Sequence, residues 1–168
     1  MKKSIYNNIV YPDYEVPYSP KRESLMFFSW VNTALPPEDT ITPKMHYILV
    51  DELLSGYQNV EALVFRGGAK STITTKQLPL FVADTGELPN FGRCVNIGIF
   101  SATYSQAVDL MKDLVSAWDT SDHLQSSLKL ARNNRGKIIG DRENYICFEN
   151  DKGQWTHISA YGEHDCRV

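Results

Sequence analysis

The feature that most constrains the fold is a change of hydrophobic period near residue 101. Val95-Asn96-Ile97-Gly98-Ile99-Phe100 is an apolar-rich run of strand length. It passes through Ser101-Ala102 into Thr103, which with Gln106 has the spacing of a capping box. Tyr104, Ala107, Val108, Met111, Leu114, Val115 and Trp118 then line one face of a long helix. About thirty residues earlier the pattern has a counterpart. Glu61 to Phe65 reads as a short buried strand, followed by a glycine-bearing turn and a helical segment that Pro79 should kink or end. Strands that each lead into a helix belong to α/β architecture.

The rest of the chain fits around this pair. With 168 residues a single domain with a real core is expected, and 42% hydrophobic with 22% charged residues is ordinary globular composition. A net charge of -3 provides no global basic field for nucleic acid. Cys94, Cys147 and Cys166 are odd in number, widely spaced and without a C-x-x-C pair, so no disulfide or four-cysteine zinc framework is suggested, and Cys94 and Cys147 read as structural. No apolar run reaches the ~18 residues of a membrane span, and the expected location is cytosolic.

Residues 1–23, with prolines at 12, 17 and 20 and Tyr6, Tyr11, Tyr14 and Tyr18, read as an extended arm lying on its own domain. Ser24 to Val31 predicts a short helix. Thr42 as N-cap, Pro43 as first helical residue and Gly56 as stop predict a second. That second helix contains Ile48-Leu49-Val50-Asp51-Glu52, the string of a Walker B strand, but its 3.6-residue period places it on a core helix. Residues 84–92 read as a loop and Asp122 to Arg132 as a helix anchored by Leu124 and Leu128. Tyr145–Phe148 and Trp155–Ile158, flanking Asn150-Asp151-Lys152-Gly153, predict a β-hairpin.

Function turns on Phe65-Arg66-Gly67-Gly68-Ala69-Lys70-Ser71-Thr72. In the phosphate loop G-x-x-x-x-G-K-[ST], backbone N–H groups at a helix start face the anion and the lysine adds a point charge. Here Val64 and Ala69 occupy the two glycine positions, and Gly67-Gly68 lie inside the loop. As a phosphate cradle, the N–H groups of residues 67–72 would hold the anion. Lys70 would contact the β- and γ-phosphates, Arg66 would add a second cation, and Ser71 would ligate Mg²⁺. The competing reading is a surface turn with two glycines before a polar helix start.

Arg66 to Thr72 resembles the deviant Walker A of tailed-bacteriophage terminase large subunits, which lose the usual glycines and carry an early arginine. Three other stretches agree in order: His46 with the helix to Leu54, Ser101 to Ala107, and Ile146 to Gly162 ending in Ala-Tyr-Gly. The likeness covers roughly residues 24–168 and implies part of an α/β, P-loop NTPase-like (ASCE-type) three-layer sandwich, with a C-terminal β-hairpin. By that resemblance the cofactors are ATP and Mg²⁺, and the catalytic cations Arg66 and Lys70. The site is Arg66, Gly67, Gly68, Ala69, Lys70, Ser71 and Thr72, with Ser71 on the metal.

It also implies an ATP-hydrolysing DNA-packaging motor with DNA, a portal protein and a small terminase subunit as partners, in the cytoplasm of an infected bacterium. The Walker B strand, its catalytic glutamate and the nuclease domain of that family have no counterpart in these residues. The expectation is therefore a truncated or split product with two non-adjacent strands of an incomplete sheet, weak nucleotide binding at most and no competent hydrolysis, with a second chain as one candidate source of the remainder. The alternatives are a non-enzymatic α/β interaction module and another P-loop ATPase of kinase-like or helicase-like type.

Minor candidates have bland explanations. His157, His164 and Cys166 fit no common zinc spacing. Asp84 and Glu87 read as solvated turn residues. Arg132, Arg135, Lys137 and Arg142 form a loose basic run that reads as solvated surface, with DNA phosphate as the alternative contact.

Overall fold

A computed structural model describes residues 18–35, 42–57, 60–61, 68–133, 135–140 and 142–162. They form a mixed α/β structure: α1 (Arg22–Ala34), α2 (Lys44–Leu53), α3 (Leu78–Thr85), β1 (Glu87–Leu88), β2 (Gly92–Arg93), β3 (Asn96–Ser101), α4 (Tyr104–Asp119), α5 (Asp122–Ser127), β4 (Leu128–Leu130), β5 (Tyr145–Asn150) and β6 (Trp155–Gly162). The predicted strand at 61–65 lies almost wholly outside the described residues, as do Arg66, Gly67, His164, Cys166 and the first 17 residues of the arm.

The main sheet has four strands in the order β3-β6-β5-β4. β5 and β6 form the predicted antiparallel hairpin, with Cys147 opposite His157 and Ile146 opposite Ile158. The hairpin is not a peripheral addition, because β6 pairs in parallel with β3, from Asn96 opposite His157 to Ser101 opposite Gly162. β3 thus has a full-length partner within the chain on one side, while the expected separation of β3 from a strand at 61–65 lies outside the described residues. Its turn is fixed by Asn150, whose Oδ1 accepts from the N–H groups of Lys152 (3.1 Å) and Gln154 (3.0 Å).

The fourth strand replaces the end of an expected helix. Leu124 and Leu128 are four apart, which suited a helix to Arg132, yet α5 stops at Ser127. Leu128 and Leu130 instead alternate into the core while their backbone pairs with Asn150 and Phe148. Ladder bonds to β5 outweigh the local helical spacing, as tertiary context often does.

One face of the sheet carries the core. Ile99, Ile146, Phe148, Ile158, Ala160 and Leu128 point toward Ala107, Met111 and Leu114 of α4, Leu80 and Ala83 of α3, and Leu124 of α5. Tyr104, predicted on that helix face, is 44% exposed, because it stands in the first turn beyond the packed stripe. Thr103 does cap α4, accepting from the Gln106 N–H at 3.3 Å. The Gln106 side chain, however, takes a hydrogen bond from Ser101 Oγ (3.1 Å) instead of closing the box.

α1 and α2 form a second apolar cluster with α3, in which Phe27, Phe28 and Phe81 make edge-on ring contacts. Asp51, the acid of the Walker B-like string, sits on α2 and is buried. It accepts from Tyr18 Oη (2.5 Å), the Lys21 N–H (3.0 Å) and Ser24 Oγ. It ties the entry to α1 onto α2, so the core-helix reading holds, and Tyr18 lies on its own domain. The Tyr18 hydroxyl is pushed well above the ordinary phenol range by burial and by the Asp51 carboxylate.

Candidate functional site

The described part of the glycine loop is its end. Gly68 is buried, Ala69 is partly buried, Lys70 and Ser71 are exposed, and Thr72 is half-buried. Ala69 has φ +53, a left-handed conformation that few residues with a Cβ adopt, and it occupies a glycine position of the phosphate-loop pattern. The chain becomes helical at Lys70, and the Ile73 N–H bonds to the Ala69 carbonyl at 3.0 Å. Among the described residues Ser71 makes no side-chain cap bond at this helix start, where Lys70 is exposed.

The helix that follows is unusual in build. Thr72–Gln77 is a π-helical turn, with the Leu78 N–H reaching the Ile73 carbonyl, and it runs directly into α3. Pro79 was expected to kink or end this helix; it lies in the first turn of α3, and the helix continues to Thr85. A wider turn before the ring accommodates proline without a break. Thr74 and Thr75, poor helix formers, turn their hydroxyls back onto the carbonyls of Lys70 (2.9 Å) and Ser71 (2.7 Å). Gly86, with φ +79, ends α3.

One side of this helix start lines a cleft of about 530 Å³ between α1, α2, the π turn and α4. Phe28, Val31, Leu35, Ile73 and Ala117 give it apolar walls, while His46, Thr72, Lys76, Gln77, Asp113 and Ser116 bring polar groups. Gln77 Oε1 is buried there with no hydrogen-bond partner. α2 also enters the cleft by its N-terminus. Pro43, expected as the first helical residue, is its N-cap, and Thr42 lies one residue outside and makes no cap bond. The volume suits a small organic ligand.

The structure does not gather all the predicted pieces. Ala69 and Thr72 face the second half of α4, at Asp113, Ser116 and Thr120. The Thr103–Gln106 junction stands at the other end of that helix, where Gly162 abuts Tyr104 closely enough that a Cβ would lie 2.5 Å from the Tyr104 nitrogen. Sequence reasoning missed Lys76, Asp113, Ser116 and Thr120. The available signal was four-residue spacing, Thr72 to Lys76 and Ser116 to Thr120, on the sides of two helices.

Among the described residues no group of three or more His, Cys, Asp and Glu could hold a metal ion. A Mg²⁺ at Ser71 would draw its other ligands from phosphate oxygens and water, the usual habit of that ion.

The minor candidates resolve individually. Asp84 is not a solvated turn residue. It accepts from Trp30 Nε1 at 2.6 Å, lies 3.6 Å from His123 Nε2, and its side chain is only 12% exposed. Glu87, in the small ribbon β1–β2 that replaces the predicted loop, is exposed. His157 is a strand histidine whose Nδ1 meets Tyr145 Oη at 2.5 Å and whose Nε2 stands 4.0 Å from Cys147 Sγ. Burial pushes the Cys147 thiol up to about 11, the opposite of an activated nucleophile, and raises Cys94 as well. No described helix is long and apolar enough to cross a membrane.

Comparison with protein-family models, with curated proteins and with solved structures found no match.

Proposed function

We propose that this chain is the Walker A-bearing part of a terminase large-subunit ATPase domain of P-loop type, and that it binds a nucleoside triphosphate where the helix opens at Lys70. The observation that supports this most is local. Lys70 and Ser71 are exposed at a helix start, directly after a left-handed residue, and Ser71 makes no cap bond there. Oriented N–H groups and a lysine at such a position favour a phosphate chain. In this reading Lys70 and Arg66 neutralise the β- and γ-phosphates, Ser71 ligates Mg²⁺, and residues 67–72 supply backbone donors. The nucleotide contributes the phosphoryl group whose transfer to water drives DNA translocation in that family.

The test is equilibrium binding of a fluorescent ATP analogue with and without Mg²⁺. Lys70→Ala is expected to weaken binding at least tenfold, and Ser71→Ala to remove most of the Mg²⁺ dependence. Binding that both variants leave unchanged would return the loop to a structural turn.

A second reading, the α/β interaction module, is favoured by a different observation: one face of the main sheet carries exposed rings, with Phe100 66% and Tyr161 36% exposed. A stable chain whose melting temperature ignores ATP would support it.

A further inference from the structure

The strands that face the helices with Ile99, Ile158, Ala160, Ile146 and Phe148 turn their alternate side chains the other way. That second face carries Asn96, Gly98 and Phe100 from β3, His157, Ser159 and Tyr161 from β6, and Tyr145, Cys147 and Glu149 from β5. Phe100 and Tyr161 are register partners on adjacent strands, with ring centroids 5.1 Å apart and planes 19° apart. Gly98 allows the Phe100 ring to fold back along the sheet, since a Cβ there would lie 2.7 Å from Phe100 Cε2. Further along the same face the Tyr145 and His157 rings lie 5.9 Å apart and within 3° of parallel. Four rings are thus held on one side of a sheet, with Phe100 66% and Tyr161 36% exposed.

Beside this face runs the basic segment that the sequence singled out. Residues 129–142 contain five cations, Lys129, Arg132, Arg135, Lys137 and Arg142, against one acid, in a chain of net charge -3. The segment meets this face at Tyr145: Gly140 packs on Tyr145 so closely that a Cβ would sit 2.6 Å from its Cε1, and Arg142 exchanges backbone hydrogen bonds with Tyr145 at 3.2 Å. Glu149, the acid of this face, has Lys129 opposite it across the β4–β5 ladder, and Glu143 lies 3.6 Å from Lys112 of α4.

We infer that the open face of the sheet, with Phe100, Tyr161, Tyr145 and His157 as its platform and Lys129 to Arg142 as its cationic border, binds single-stranded nucleic acid. Rings ranged along a strand take unstacked bases irrespective of sequence, and flanking cations follow the phosphates. Duplex DNA hides its base faces and cannot use such a platform. The site is independent of nucleotide binding at Lys70.

Fluorescence anisotropy of the full chain with labelled dT and rU oligomers of about a dozen nucleotides, and with a duplex of equal length, tests this. Expected are preference for both single strands over duplex, affinity that falls as salt rises, and at least tenfold loss in the Phe100→Ser, Tyr161→Ser double variant. Arg142→Gln should weaken all single strands alike and flatten the salt dependence, while Lys112→Gln on α4 should leave binding unchanged. If the double variant fails to fold, Phe100→Leu removes the ring but keeps an apolar side chain. Two results overturn the inference: equal binding of duplex and single strand, or no single-strand binding; in the second case a dimer in sedimentation that Phe100→Ser dissociates would make the face a contact between copies of the chain.

Discussion

The two faces of the four-stranded sheet are built from the same residues taken alternately, yet they have opposite character. The inward face sets Phe148, Ile158 and Ala160, all with no exposure, against three helices. The outward face sets Phe100 and Tyr161 in solvent and a ring-stacked Tyr145–His157 pair beside a basic segment. Both are rich in large apolar or aromatic groups, so hydrophobicity alone does not separate them. What separates them is where the connecting helices pack. A side chain's contribution to stability follows what surrounds it, whereas an exposed ring is free to contribute to binding.

The strongest way to break this contrast is truncation on each face. Phe148→Ala, on the inward face, should cost about 3–5 kcal/mol by chemical denaturation. A similar loss from Phe100→Ser would make both faces core and remove the distinction. Next in size, Asp51→Ala strands the Tyr18, Lys21 and Ser24 donors and should cost about 2–4 kcal/mol. A small effect there would mean that water replaces the carboxylate easily. Gly162→Ala places a Cβ against the Tyr104 backbone at the end of the parallel pair and should cost about 1–3 kcal/mol in a thermal melt.

The faces also differ in their titration. Cys147 is on the outward face but fully covered, and its thiol is raised from 9.0 to about 11 by burial. The unfolded chain therefore ionises first, and native stability is full below about pH 9 and falls as pH rises toward 11. Cys147→Ala should flatten that alkaline decline in pH-dependent melts; an unchanged slope would assign it to other groups, Tyr18 among them. The smallest effect belongs to Phe100→Ser, expected within about 1 kcal/mol of the parent.

Much of the fold was legible because its signals are local. The Thr103 cap, the stripe Ala107–Val108–Met111–Leu114 and the Asn150–Gly153 turn are each encoded within a few residues. The Walker B-like string read correctly as helix for the same reason, since Pro43 and Gly56 bracket a helical period. Readings failed where a partner distant in sequence decided. Leu128 and Leu130 became strand because β5 offered a ladder, and Asp84 is largely covered because Trp30 and His123 pair with it. Pro79 does not end its helix because a π turn, which has no sequence signature of its own, precedes it.

The candidate site divides in the same way. Lys70 and Ser71 at a helix start were readable from their neighbours, but the cleft beside them was not, because it is made by four segments between Phe28 and Thr120. The sequence by itself determined the start of α4, the turn of the hairpin, the lysine at the head of the helix and the basic run, since capping, period and turn chemistry act over a few residues. Only the tertiary structure decided that β6 lies parallel to β3, that helices cover one face, and that Tyr145 on the other meets the segment from Lys129 to Arg142. Those outcomes depend on which distant surfaces bury one another, and no short stretch of sequence contains that information.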